Sequence, residues 1–269
     1  MDVSIIIVNY NTFQLTCQCI ESIVRKSDGF SYEIILVDNC STEVDASEFK
    51  KRFPEIILIL SNQNVGFAKG NNLGIQKAKG KYILLLNSDT VLKNNAILLC
   101  KAHWDKHPDT AVVAARLEYA DGTVQHNCQR FPSIGYKLFE LFRLQKLVSR
   151  KKRGVILFGS FFDHNTPAFP DWVWGTFFMF RKELLAMLPG HKLADNFFMY
   201  GEDMQWCLEF QKRGHAVAFE PAGEVIHYMG QSGGTAKVWM EQNADIFMKQ
   251  YYSPLSRWVI RNLDRLLIS

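Results

Sequence analysis

Val3-Ser4-Ile5-Ile6-Ile7-Val8-Asn9-Tyr10-Asn11-Thr12 is an apolar run that stops abruptly in amides and hydroxyls. From Phe13 the period changes, with Leu15, Cys19, Ile20, Ile23 and Val24 at helical spacing. The stretch reads as a strand, a polar strand end and a helix that Thr12 or Asn11 would cap. The pattern recurs downstream. Residues 33–37 form a second strand ending in Asp38-Asn39, and a short helix falls near residues 46–52. Pro54 separates that helix from a third strand at 56–60; a helix reaching about residue 78 then leads to a strand at 82–86 that runs into Asn87-Ser88-Asp89. Several strands are continuously apolar rather than alternating, as burial on both faces of a parallel sheet requires. The fold class is α/β, doubly wound, with a mostly parallel sheet and helices on both faces. In such sheets ligands bind beyond the carboxyl ends of the strands. Asn9-Tyr10-Asn11, Asp38-Asn39 and Asn87-Ser88-Asp89 stand at such ends and should converge on one crevice.

The 269 residues, 48% of them hydrophobic, are enough for a sizeable core in one large domain. Residues 117–170 mix aromatics, glycines and basic residues and read as an insertion or lobe on the sheet. Regularity returns with a strand at 172–180, a helix from Lys182, a helix opened by Gly201-Glu202-Asp203, and strands at 217–220 and 225–227. No apolar stretch approaches the ~20 residues of a membrane-spanning helix, and the first residues lack the basic flank of a signal peptide. The six cysteines form no CxxC pair, so neither a zinc site nor a disulfide framework is expected, and a reduced, cytoplasmic setting is.

Three groups of residues bear chemistry. Asp89, at the end of a buried strand, is placed to ligate a hard divalent cation such as Mg²⁺ or Mn²⁺, or merely to cap the next turn. Glu202-Asp203, between Phe197-Phe198-Met199-Tyr200 and Trp206, reads either as an N-terminal helix cap or as a desolvated general base. His227 is a packed core histidine unless the fold brings it to a second ligand such as Asp89. The turn holding Asn64, Gly66, Lys69 and Asn72 could approach a nucleotide, but matches neither the GxGxxG nor the GxxxxGK[ST] fingerprint.

In order along the chain, these residues resemble the family 2 inverting glycosyltransferases of GT-A fold, and among them the rhamnosyltransferase-like members. The resemblance runs from Val3 to Asn11 through Leu36-Val37-Asp38-Asn39-Cys40-Ser41, residues 64–72 and Leu85-Leu86-Asn87-Ser88-Asp89. It continues through Trp174-Gly175 and Tyr200-Gly201-Glu202-Asp203-Met204-Gln205-Trp206 to His227. It implies that Asp38 contacts the nucleotide base, with Asn9, Asn11, Asn64, Gly66, Lys69 and Asn72 around base and ribose. Asp89 matches the last acid of the family's DXD motif, with Asn87 in place of the first, and His227 a further metal contact. Asp203, beside Glu202, matches the catalytic base, while Trp174, Gly175 and Trp206 lie on the acceptor side. The implied partners are a nucleoside-diphosphate sugar, dTDP-rhamnose or a UDP-sugar, and a glycan or lipid-linked glycan acceptor; nucleic acid is not among them. Residues 1–116 would bind the nucleotide sugar, 117–230 the acceptor, and 231–269 would form a C-terminal helical segment. A sugar nucleotidyltransferase would instead need a glycine-rich triphosphate loop where Asn9-Tyr10-Asn11-Thr12 stands. A non-catalytic glycan-binding protein is the other rival, suggested by Asn87.

The net charge of +4 is unevenly spread. Residues 136–153 carry +6 and residues 254–269 carry +2, leaving −4 on the remainder. Both basic segments have apolar residues at helical spacing and read as amphipathic helices, either packed on the domain or attached to an anionic membrane surface on its inner face.

Overall fold

The computed structural model describes residues 1–229 and 236–268. In chain order the elements are β1 (Val3–Asn9), α1 (Phe13–Lys26), β2 (Tyr32–Asp38), α2 (Ser47–Arg52), β3 (Ile57–Leu60), α3 (Phe67–Ile75), β4 (Tyr82–Asn87), β5 (Thr90–Leu92), α4 (Ala96–Lys101) and α5 (His103–Lys106). There follow β6 (Thr110–Glu118), β7 (Val124–Gln125), β8 (Cys128–Gln129), α6 (Ile134–Leu141), α7 (Arg150–Leu157), β9 (Trp172–Val173), β10 (Phe177–Arg181), α8 (Glu202–Gln211), β11 (Ala216–His227), α9 (Ala236–Tyr251) and α10 (Pro254–Ile268).

One sheet runs β3-β2-β1-β4-β10-β6-β11-β5, with β7 on β6. It is parallel from β3 to β4 and between β6 and β11, while β10 lies antiparallel to both its neighbours and β5 antiparallel to β11. Its strands alternate between two cores. Ile5, Ile7, Leu36, Leu84 and Leu86 join α1 and α4 on one face, and Ile6, Ile35, Ile83 and Leu85 join α3 and α8 on the other. Burial on both faces explains why β1, β2 and β4 read as unbroken apolar runs. The fold is α/β, as expected. All six cysteines are unpaired, and no helix among the described residues is long and apolar enough to cross a membrane.

The later elements differ from expectation in ways that matter to the site. The strand expected at 172–180 breaks at Trp174-Gly175-Thr176: β9 pairs with β8 in a separate two-stranded sheet and β10 joins the main one. Segments 217–220 and 225–227 are one strand, β11, with an irregularity between Glu220 and Glu224 where Pro221 supplies no donor. The helix expected from Lys182 is a 3₁₀ turn, Lys182–Met187. Thr12 precedes α1 but caps nothing, because its hydroxyl donates to Asn9 Oδ1 at 3.0 Å instead. In the 117–170 segment, α6 packs against α10, where Lys137 meets Asp264 at 2.8 Å.

Candidate active site

The carboxyl ends of β1, β2, β4 and β11 and the amino end of antiparallel β10 open on the same edge of the sheet. Asn9 and Asp38 are register partners on β1 and β2, and this adjacency lets Asn9 Nδ2 donate to Asp38 Oδ1 at 2.7 Å. The Ser41 amide donates to the other oxygen at 3.0 Å. Asn9 Oδ1 accepts from Thr12 and Thr16, and Thr12 Oγ1 lies 3.0 Å from Ser88 Oγ. Asn11, in the left-handed region at φ 53°, accepts from the Thr42 amide at 2.8 Å, joining the β1 and β2 loops. Asn39 donates to Asn64 at 2.9 Å and accepts from the Val65 amide at 3.0 Å, holding the next loop against them. The result is a bed of amides and hydroxyls, with Asn9, Thr16 and Asn39 buried and Asn11 at the surface, around the buried carboxylate Asp38, whose oxygens each keep acceptor capacity.

A second corner lies where β4 meets β5 and β11. His227 pairs with Thr90 across the strands, which puts its Nε2 3.4 Å from Asp89 Oδ1 and 3.4 Å from Asn87 Nδ2. Buried Gln125 fixes the ring: its Nε2 donates to the His227 carbonyl at 2.7 Å and its Oε1 faces Nδ1 at 2.8 Å. Nδ1 therefore carries a proton and Nε2 is turned toward Asp89 and Asn87, the ring orientation a metal-binding imidazole needs. Among the described residues no third histidine, cysteine or carboxylate joins them. The pair fits a hard cation whose remaining ligands are diphosphate oxygens and water, as sites of this kind use.

The third part is a strained turn. Tyr200 and Gly201 are both left-handed, at φ 68° and 99°, and launch α8 at Glu202. A non-glycine residue rarely holds that conformation without support. Here Asn243 of α9 supplies it, donating through Nδ2 to the carbonyls of Met199 and Tyr200, each at 2.7 Å. On the other side the Phe67 amide donates to the Phe198 carbonyl at 2.8 Å, and Gly66 passes so close that an added Cβ would collide with that oxygen. Asn64, Gly66 and the acid turn are thus one connected structure.

The two acids in this turn differ. Asp203 is partly exposed and accepts from the amides of Gly175 at 3.0 Å and Met204 at 2.8 Å. Glu202 is 5% exposed, and its Oε2 has no partner among the described residues. Burial pushes both carboxyls above their usual range, and the charge of Asp203 raises Glu202 further. Burial thus favours the neutral form of Glu202, while the two N–H donors favour the charged form of Asp203. Gly175 can reach it because the β9–β10 break turns the backbone there, while the neighbouring Thr176 carbonyl accepts from the Asn87 amide at 3.0 Å. One short break thereby links the acid turn to the Asn87–Asp89–His227 corner.

Trp206, expected on the acceptor side, is a core residue: it is 1% exposed, stacks with Phe67 and donates to the Ala194 carbonyl at 2.7 Å. Asn72 spends both amide atoms on the backbone of Leu193 and lines a hollow beside Lys81 and Lys182, at the far end of β4 from Asn87. Lys69 is exposed on α3, and Trp174 is half-buried against the α1 core. Sequence reasoning passed over Thr16, Gln125 and Asn243, read Thr12 only as a helix cap, and gave Asn39 and Ser41 no role of their own. Asn39 and Ser41 were visible as polar residues at a strand end; Gln125 and Asn243 had no local signal.

The chain belongs to the Glycosyl transferase family 2, whose profile matches residues 4–186. Among characterised relatives it is 30% identical over 132 residues to the minor teichoic acid biosynthesis protein GgaB of Bacillus subtilis strain 168, covering 47% of this chain and 15% of that protein. It is 34% identical over 103 residues to the poly(ribitol-phosphate) beta-glucosyltransferase of Bacillus spizizenii, covering 36% of this chain and 16% of that one. Both relatives are thus far longer than the part matched. Solved structures share the fold at low identity. GalNAc-T7 with UDP, GalNAc and Mn²⁺ aligns at TM-score 0.65 and 15% identity, over 93% of this chain and 48% of that one. The mannosyltransferase PcManGT of Pyrobaculum calidifontis with GDP-Man and Mn²⁺ aligns at 0.61 and 16%, over 98% and 69%. The fold is therefore that of the GT-A glycosyltransferases.

Proposed function

We propose that this protein is an inverting glycosyltransferase that moves a sugar from a nucleoside-diphosphate donor to a hydroxyl of a growing cell-surface glycan. The observation that carries the reading is the acid turn, where buried Glu202 stands beside Asp203, which accepts from the Gly175 amide, joined through Gly175 and Thr176 to the Asp89–His227 corner. Asp203 takes the proton of the acceptor hydroxyl while that oxygen attacks the anomeric carbon. The bond to the diphosphate breaks, its electron pair leaves with the nucleoside diphosphate, and the anomeric configuration inverts. A Mg²⁺ or Mn²⁺ ion held by Asp89 and His227 would neutralise charge on the leaving group. Asp38, Asn9, Asn11, Asn64 and Gly66 form the bed for nucleotide base and ribose.

In this reading residues 1–116 hold the donor, residues 117–230 supply the acceptor side and the base, and residues 231–269 stand behind them. The rhamnosyltransferase-like motifs favour dTDP-rhamnose, with a UDP-sugar as the alternative. The teichoic acid names of the relatives favour a cell-wall polymer. A lipid-linked acceptor would call for peripheral attachment to the inner face of the membrane.

The test is release of nucleoside diphosphate from a panel of nucleotide sugars, with and without Mn²⁺ and acceptors. Acceptor-stimulated release from one donor is expected; no release from any donor would overturn the reading. Asp89→Ala should lower Mn²⁺-dependent donor affinity about 10- to 100-fold by calorimetry, the usual cost of disturbing a metal site. Unchanged affinity would remove Asp89 from its role.

A further inference from the structure

The apolar side of α10 is wider than the part the domain covers. Ile260 and Leu263 are buried against the protein. Leu255, Trp258 and Leu266, on the flank of that side beyond Leu263, are 70, 65 and 59% exposed. At 100° per residue those three cluster in one sector, and Arg257, Arg261 and Arg265, spaced four apart, form a parallel stripe beside it. The stripe continues onto the end of α9. Between the two helices lies a hollow of about 410 Å³ lined by Lys249, Arg257, Trp258, Arg261 and Arg265.

Asp245 is the carboxylate that answers these cations, pairing with Lys249 at 2.7 Å and with Arg261. Among the described residues no carboxylate pairs with Arg257 or Arg265. The neighbouring helix repeats the combination. α6 packs against α10, and the chain leaving it exposes Phe142 and Leu147, at 67 and 82%, among Arg143, Lys146 and the run Arg150-Lys151-Lys152-Arg153.

We propose that the α9–α10 hollow is a binding site for the phosphate headgroups of an anionic bilayer, with Trp258, Leu255 and Leu266 inserted beside them. This deepens the peripheral attachment put forward above and rests on that reading. A soluble polyanion would satisfy the arginines but leave the apolar stripe in water. An apolar protein partner would strip the arginines of water without replacing it. A bilayer with anionic headgroups over hydrocarbon answers both stripes at once.

The test is co-sedimentation of the full chain with vesicles of phosphatidylcholine alone or containing about one-third phosphatidylglycerol, at low and high salt. Binding only to the anionic vesicles, weakened by salt, is expected. Arg257→Gln/Arg265→Gln leaves the Asp245 pairs intact and should lower partitioning about 10- to 30-fold. Leu255→Ser/Trp258→Ser should also lower it, and Arg257→Lys/Arg265→Lys should restore most of it. Equal binding to both vesicle types, wild-type partitioning by the glutamine or the serine double variant, or complete displacement by millimolar inorganic phosphate or soluble polyphosphate would overturn the proposal. Nucleoside diphosphate release with a short soluble acceptor, measured on the same variants, should stay at wild-type rates. If the wild-type chain releases none, the transferase reading fails while the vesicle result still stands on its own.

Discussion

The two shores of the crevice are built on opposite principles. On the donor side, Asn9, Asn39, Asp38 and Asn64 are held by side-chain and backbone partners, and the strands beneath them lie in ordinary parallel register. On the acid side a left-handed Tyr200-Gly201 turn carries a buried carboxyl with one oxygen unpaired among the described residues and a second carboxyl pushed upward by burial. A satisfied polar bed recognises a ligand at little reorganisation cost. A strained, desolvated acid pair does chemistry, because burial is what raises a carboxylate into a useful range for a base. The largest effects should therefore come from the acid side in turnover, and those of the donor side in affinity.

The sharpest way to break this division is Asp203→Asn. Gly175 donates to Oδ2 and Met204 to Oδ1, so the single amide oxygen keeps one of the two bonds; Tm should fall somewhat while nucleotide binding, to which Asp203 does not contribute, stays normal. Turnover should fall about 10² to 10⁴-fold, the usual contribution of a positioned base. In the wild type, the rate should drop as pH falls through the raised pKa of Asp203, about 6, because the base must be unprotonated. A pH profile that is flat through that range, or a variant that loses affinity and turnover together, would erase the contrast between the shores.

Next in size is Asn9→Ala on the donor side. It leaves the Thr12 and Thr16 hydroxyls without their acceptor and takes the shortest donor from Asp38. Leaving such buried groups unsatisfied costs about 1 to 3 kcal/mol. Donor KM should rise about tenfold or more with kcat nearly unchanged. A fall in kcat at constant KM would put Asn9 on the catalytic shore instead.

The polar bed was legible in the sequence because an apolar run that switches to amides marks a strand end, and parallel strand ends converge by topology. The acid pair was legible as a motif, but its division of labour was not. That division depends on the Gly175 amide, brought in by a strand break 28 residues away, and on burial. Trp206 misled for a related reason. It stands three residues from Asp203, a rise of about 4.5 Å along α8, and that rise carries it from the crevice into the core with Phe67 and Phe178. Gln125 and Asn243 were invisible because each acts on a residue more than forty positions away through one side-chain amide. The C-terminal segment was read as an amphipathic, basic helical segment, and nothing in its pattern marked α9 as the prop under the acid turn.

Asn243→Ala tests that prop and should give a smaller effect. Removing two 2.7 Å donors from the Met199 and Tyr200 carbonyls frees the left-handed turn. We expect kcat to fall about tenfold, of the order that one lost hydrogen-bonded contact at a site produces, with donor KM unchanged. A purely structural role would leave the pH profile in place. A positioning role should move its acidic limb down toward the ordinary carboxylate range as water reaches the acids. Asn243→Asp, which puts an acceptor against two carbonyls, should be worse than alanine.

The smallest effect separates the acids from each other. Glu202 is raised in the folded protein, so its native-state contribution to stability is fully present below the unfolded carboxyl pKa, near 4.3. It is lost progressively as pH rises toward the folded value, about 8. Glu202→Gln keeps the shape of the neutral acid and removes that loss. Its Tm should exceed the wild type's by a few degrees at pH 8, with the difference vanishing near pH 4. Because burial favours the protonated form of Glu202, turnover at pH 7 should change much less than in Asp203→Asn. A Glu202→Gln variant as slow as Asp203→Asn, or one less stable at pH 8 than at pH 4 relative to wild type, would mean that the proton sits on the other acid and that the roles within the pair are reversed.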